Sequence, residues 1–117
     1  MIIYKTKKTD THHVDKIYLV RFYENDKLLF SKVGTTKRTV KTRVKEEIKA
    51  YEKSGYVITK VKIIDFVEVA NESLSLGVEC QLKAKLIKKY QNSFIKNDRF
   101  AIKIKKDEFQ KIVKKYL

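Results

Sequence analysis

The sequence predicts a small α+β domain: a three-stranded, mostly antiparallel sheet flanked by helices, with a further strand and helix at the C-terminal end. Three observations carry this. Two strand-like runs, Lys16–Tyr23 and Leu28–Val33, are separated by the turn-forming Glu24-Asn25-Asp26-Lys27 and read as a hairpin. A third β-branched run lies within Lys60–Val69, after a helix-length gap. Between and after these runs the apolar residues recur every three or four positions, which is helical spacing.

A length of 117 residues allows one domain, residues 1–117, with one modest core. Residues 1–13 read as a flexible or edge segment, in which Ile2-Ile3-Tyr4 forms a short edge strand. No apolar run approaches the ~20 residues of a membrane span. The start, MIIYKTKKTDTHH, holds no long apolar stretch, so no secretory leader and a cytoplasmic location are expected. The single Cys80 leaves no internal disulfide and suits a reducing compartment. His12 and His13 are adjacent and would point to opposite sides of an extended chain, so no Cys/His zinc set is expected.

The net charge of +14 predicts a polyanionic partner, nucleic acid before others. Almost all of the positive charge is lysine; the arginines are Arg21, Arg38, Arg43 and Arg99. In a composition that prefers lysine, each arginine marks a place where the planar, forked guanidinium is needed.

In chain order, the hairpin leads into Lys32–Arg43, KVGTTKRTVKTR. This reads as a strand end, a glycine turn at Gly34, a threonine loop and the start of a basic helix. Thr35, Thr36 and Thr39 are candidate caps, because their hydroxyls can accept from the free N–H groups of the first turn. Such a helix start attracts anions. With Lys32, Lys37, Arg38, Lys41 and Arg43 around it, the stretch is a candidate phosphate-handling device. The helix runs from about Thr39 to Ser54 on the stripe Val40, Val44, Ile48 and Tyr51, and Gly55 is its expected C-terminal cap. Arg43 lies one step from that stripe and can lean back towards Gly34. Asn71 caps a second helix running to about Tyr90, with Leu74, Val78, Leu82 and Leu86 inward and Glu79 beside them. Gly77, inside this helix, costs about 1 kcal/mol relative to alanine and predicts close approach of another backbone. Gln91–Asp98 reads as a loop and Arg99–Lys105 as a short strand. Asp107 opens a last helix lined by Phe109, Ile112, Val113 and Tyr116.

The order Tyr18, Gly34, Arg43, Glu79 on hairpin, turn, first helix and second helix resembles the GIY-YIG nuclease superfamily. Lys16-Ile17-Tyr18 stands at the GIY position and Lys32-Val33-Gly34 at the YIG position. Arg43 is similar to the family's helical arginine, and Glu79, in Gly77-Val78-Glu79-Cys80-Gln81-Leu82, to its metal-binding glutamate. The KVGTT form is nearest to the small phage and bacterial branch. The resemblance implies a DNA endonuclease that hydrolyses phosphodiester bonds with a single Mg²⁺ or Mn²⁺. It implies Tyr18 as base or water-positioning group, Arg43 on the phosphate and Glu79 as the metal ligand. DNA is the implied partner, met by Gly34, Thr35, Lys37, Arg38, Lys41 and a late asparagine, Asn92 or alternatively Asn97. Target choice would come from a homodimer or a partner protein. Three points depart from the pattern, the late asparagine, for which Asn92 and Asn97 compete, being one. Lys32 replaces the second tyrosine, where it either lowers the Tyr18 pKa or contacts phosphate. Glu47 stands where many members carry histidine. On its own helix Arg43 also has Glu46 and Glu47 within pairing reach. The alternative reading is a nuclease-like protein that binds nucleic acid without cutting, in a regulatory or anti-defence role.

Overall fold

The computed structural model describes residues 1–96 and 98–117. The elements in order are β1 (Ile2–Tyr4), β2 (Lys16–Glu24), β3 (Lys27–Thr36), α1 (Val40–Lys53), β4 (Lys60–Glu68), α2 (Glu72–Lys89), a 3₁₀ turn (Gln91–Ser93), β5 (Phe94–Lys96), β6 (Arg99–Phe100) and α3 (Lys106–Tyr116). The α+β class and the helices agree with the sequence pattern. Asn71 caps α2, its Oδ1 accepting from the Leu74 N–H at 2.8 Å. Thr39 caps α1, its Oγ1 accepting from the Thr42 N–H at 3.2 Å, and Gly55 follows α1 with φ of +96°, a left-handed geometry that suits glycine.

Among the described residues the sheet has six strands, not three, in the order β1-β4-β2-β3-β6-β5. The expected hairpin and third strand form its middle, with β2 antiparallel to both β3 and β4. The expected edge strand at Ile2–Tyr4 and the strand beginning at Arg99 join the same sheet, and a third short strand, β5, is added where a loop was expected. β1 pairs parallel to β4 through Ile2–Lys60, Ile3–Val61 and Tyr4–Lys62. β6 pairs to β3 at Ser31–Phe100 and Lys32–Arg99, and β5 pairs to β6. The strand expected over Arg99–Lys105 ends at Phe100 because a side chain takes over the pairing. The Ser31 hydroxyl donates to the Ile102 carbonyl at 2.6 Å and accepts from the Ile104 N–H at 3.2 Å.

Helices cover both faces of the sheet, so nearly all of β2, KIYLVRFY, is buried. The single core expected from length is therefore two clusters. One holds Tyr18, Val20, Phe22 and Phe30 against Val40, Val44 and Ile48 of α1. The other holds Ile17, Leu19 and Val33 against Val78, Leu82 and Leu86 of α2 and Phe109 and Val113 of α3. Gly77 does not mark a close backbone approach: nothing lies within 4 Å of where its Cβ would be. Among the described residues no helix is long and apolar enough to cross a membrane.

Candidate active site

Register decides the site. Tyr18 faces Gly34 across the hairpin, and Val20 faces Lys32. Cross-strand partners and residues two apart share a face of the sheet, so Tyr18, Gly34 and Lys32 all look towards α1. That helix presents Arg43 and Glu47, one turn apart.

Glu47 is the centre of the arrangement. It is 4% exposed. Its Oε2 accepts from the Tyr18 hydroxyl at 3.1 Å and forms an ion pair with Lys32. Lys32 also pairs with Asp98 Oδ2 at 3.2 Å and donates to the Tyr51 hydroxyl at 3.1 Å. On the other side, the Arg43 guanidinium lies near enough to the Tyr18 hydroxyl for its charge to favour the phenolate, while its ion pair is with Glu46 at 3.5 Å. A bonded line thus runs Tyr18, Glu47, Lys32, Asp98, with Arg43 beside its Tyr18 end. Asp98 is fixed to the edge of β3, its carbonyl accepting from the Val33 N–H at 3.2 Å. Arg99 braces the Lys32 end by lying 5.0 Å from the centre of the Tyr51 ring and 5.3 Å from that of Phe30.

Gly34 has a different role from the one its sequence context suggested. It sits inside β3, with no turn at that point. A Cβ there would lie 2.5 Å from the Tyr18 oxygen and 2.7 Å from its Cζ. The tyrosine ring tip occupies the space a side chain would need, and only glycine leaves it free.

The helix start is also corrected. The first N–H groups of α1 are already met by an internal anion. Asp10 accepts from Val40 N–H at 2.9 Å and Lys41 N–H at 3.1 Å. A phosphate bound at this end would have to displace that carboxylate. Of the residues expected to surround it, Arg38 forks onto Glu46 at 2.6 and 2.5 Å. Thr35 and Lys37 line a small cleft with Asp15 and Glu72 instead. Lys41 lies beside Lys5. Asn92 is exposed on the 3₁₀ turn, with no side-chain bond tying it to the cluster; Asn97 lies outside the described residues.

Glu79 sits half-buried on α2, paired with Lys83 at 3.6 Å. Burial raises its carboxyl above the usual range, Lys83 opposes this and Asp98 adds to it. Lys32 also acts on it, so Glu79 lies near the Lys32–Asp98 end of the line. Each of these carboxylates already has a lysine partner, Lys83 for Glu79 and Lys32 for Asp98. Among the described residues no three His, Cys, Asp or Glu side chains converge on a metal position.

Comparisons with known family profiles, characterised proteins and solved structures find no match. The chemistry of the site therefore rests on its geometry.

That geometry rearranges the expected roles. Burial raises the Tyr18 phenol well above its ordinary value, Glu47 raises it further, and Arg43 only partly offsets this. Lys32 is paired with Glu47 and Asp98 rather than with the Tyr18 oxygen. Burial pulls the Lys32 ammonium down, but Glu47 and Asp98 outweigh it and hold Lys32 charged above the ordinary lysine range. An ultraviolet titration of the tyrosines should show this directly. Tyr18 should stay protonated at pH values where an ordinary tyrosine, pKa 10.0, has ionised. The unfolded chain loses that proton near pH 10 and the folded chain keeps it. Stability should therefore fall as pH rises above about 10, and less steeply in Tyr18→Phe. A Tyr18 that ionises at or below the ordinary value would overturn this description.

Glu47, Tyr51, Asp98 and Asp10 were not expected at the site. Only Glu47 left a signal. It stands seven residues after Val40, three after Val44 and four before Tyr51, so it belongs to the buried stripe itself.

Proposed function

We propose that this protein is a metal-dependent DNA endonuclease whose site is the line from Arg43 to Glu79. The observation that carries the reading is the meeting of Arg43 with Tyr18 over Gly34. A half-exposed guanidinium lies near a buried hydroxyl that is itself bonded to a carboxylate, close enough for its charge to act on it. Arg43 is the group free enough to reach a phosphate. Its side chain is 40% exposed and its internal partner, Glu46, is 3.5 Å away on the open surface. Its fork would hold two phosphate oxygens and stabilise the charge that develops there as water attacks.

The proton path follows from the same contacts. The attacking water gives a proton to the Tyr18 oxygen while Tyr18 passes its own to Glu47. The water oxygen bonds to phosphorus, the bond to the leaving sugar oxygen breaks, and that oxygen leaves with the bonding pair and takes a proton from solvent water. Glu47 suits the accepting role because burial, ahead of the opposing Lys32 and Arg43, raises its carboxyl above the usual range. Tyr18 thus acts as a relay and needs no phenolate. Glu79, with Asp98 beside it, would hold one Mg²⁺ or Mn²⁺, which when bound acts as a Lewis acid towards the phosphate. The protein would work in the cytoplasm, and a second copy or a partner protein would choose the target.

A second reading is favoured by one observation. Tyr18 is 1% exposed, so a water reaches it only if the packing around it opens. A protein that keeps this closed form binds nucleic acid without cutting it. Plasmid nicking with Mg²⁺ or Mn²⁺ separates the two. Under the first reading the native protein nicks DNA, and Arg43→Ala and Glu79→Ala each lower the rate about 100-fold or more. Salt-sensitive binding with no nicking supports the second reading. Neither nicking nor binding overturns both.

A further inference from the structure

We propose that a lysine-lined cleft between the N-terminal segment, β4 and the start of α3 binds a single strand of nucleic acid through its phosphates. None of Tyr18, Lys32, Arg43 or Glu79 lines it. The inference rests on the reading of this protein as a nucleic-acid binder and is independent of cutting.

The cleft has a volume of about 700 Å³. Lys5, Lys7 and Lys8 form one wall, Lys60 and Lys62 of β4 form its side, and Lys106 closes the α3 end. One acid lies in the lining, Asp65, and it is fully buried. Asp65 is already engaged by Lys8 at 2.7 Å and by Gln110 at 2.8 Å. Lys60 reaches the exposed Asp26 at 3.3 Å. Lys5, Lys7, Lys62 and Lys106 form no ion pair among the described residues. Four unneutralised ammonium groups around one concavity repel each other unless an anion enters. The strain shows at the rim, where Lys5 pulls the neighbouring Lys41 ammonium below its ordinary range.

Two features point to a nucleic-acid strand. Tyr4 lines the same cleft and is 49% exposed. A half-free aromatic ring beside a row of cations is the pairing that stacks a base while its phosphates are held. The size agrees. A volume of about 700 Å³ lies within the ~300–1,000 Å³ of small-ligand sites and admits a nucleotide or two. Because Lys5 adjoins Lys41, the basic surface continues from the cleft to the start of α1.

Fluorescence anisotropy of the full chain with a labelled oligonucleotide, single-stranded or annealed, tests this. The charge-reversal variant Lys5→Glu/Lys7→Glu/Lys62→Glu should lose about tenfold or more in single-strand affinity at low salt. Its plot of log affinity against log salt should be shallower by about 2, since each lost phosphate contact removes about 0.7 for a single strand. Tyr4→Ala should cost about tenfold at an unchanged salt slope. Lys49→Ala, at an exposed lysine outside the cleft and outside the proposed active site, should leave single-strand binding within about twofold. The reversed lysines hold no ion pair, and an unchanged thermal melt confirms that the fold is kept. Native protein that binds while the cleft variants bind equally well overturns the cleft and leaves the nucleic-acid reading standing. Loss of duplex binding alone overturns the single-strand assignment. Native protein that binds neither form overturns both the cleft and the nucleic-acid reading.

Discussion

Replacing Glu47 by leucine should destabilise the protein by about 3–5 kcal/mol, the cost of breaking a buried ion pair from one side. Three groups lose their shared partner at once. The Tyr18 hydroxyl loses its acceptor, Lys32 keeps only Asp98 and the Tyr51 oxygen, and Arg43 loses a nearby opposite charge. Asp98 is partly open to water, which places the expected cost towards the lower end. The second variant makes the test sharp. Adding Lys32→Met removes the stranded ammonium, and burying two apolar chains in place of a buried ion pair is often neutral. The double variant should therefore recover most of the loss in a urea midpoint while remaining unable to relay a proton. A double variant no more stable than Glu47→Leu would mean that Lys32 is not held by Glu47 as described.

Glu47 also shows where sequence reading succeeds and where it stops. The hairpin, the helix stripes and the caps were legible because each is written in neighbours a few residues apart. Asn71 announces α2 by itself, and Val40, Val44 and Ile48 announce the buried face of α1. The pairing of Tyr18 with Gly34 was within reach too, since a short hairpin turn leaves few registers. The edges were legible in part. Ile2–Tyr4 was expected as a short edge strand and Arg99–Phe100 begins the strand expected over Arg99–Lys105, but Phe94–Lys96 lies in a stretch read as loop, and a three-residue run has no period to detect. Asp10 at the start of α1 lies thirty residues away from the amides it meets, with no local mark of the contact. Gly34 was read as a turn because glycine usually serves there. Its true constraint is a side chain from the other strand, which composition cannot express. Glu47 was readable in principle. Its spacing put it among apolar neighbours, and a charge at such a position must find partners once buried.

Gly34→Ala is the smallest change that should disturb the site most. One added carbon would stand 2.5 Å from the Tyr18 oxygen and 2.7 Å from its Cζ, closer than non-bonded atoms approach. Escape is hard on both sides. Gly34 lies in a hydrogen-bonded strand between β2 and the β6 edge, and Tyr18 is packed among Val20, Val40, Val44 and Phe66. Overpacking of this kind costs about 1–3 kcal/mol. Tyr18 is the group that must give, so its bond to Glu47 should break with it. Nicking, where the native protein shows it, should fall with the tyrosine displaced. The cause can be isolated by shortening the obstacle. Leucine at position 18 ends before Cζ, so the alanine should fit beside it. The stability cost of Gly34→Ala should then be smaller in a Tyr18→Leu background by about 1 kcal/mol or more, a coupling expected of two residues in direct contact. Equal costs in the two backgrounds would show that the glycine is needed for the backbone after all. In that case the hydroxyl of Tyr18 would not owe its position to the gap in β3.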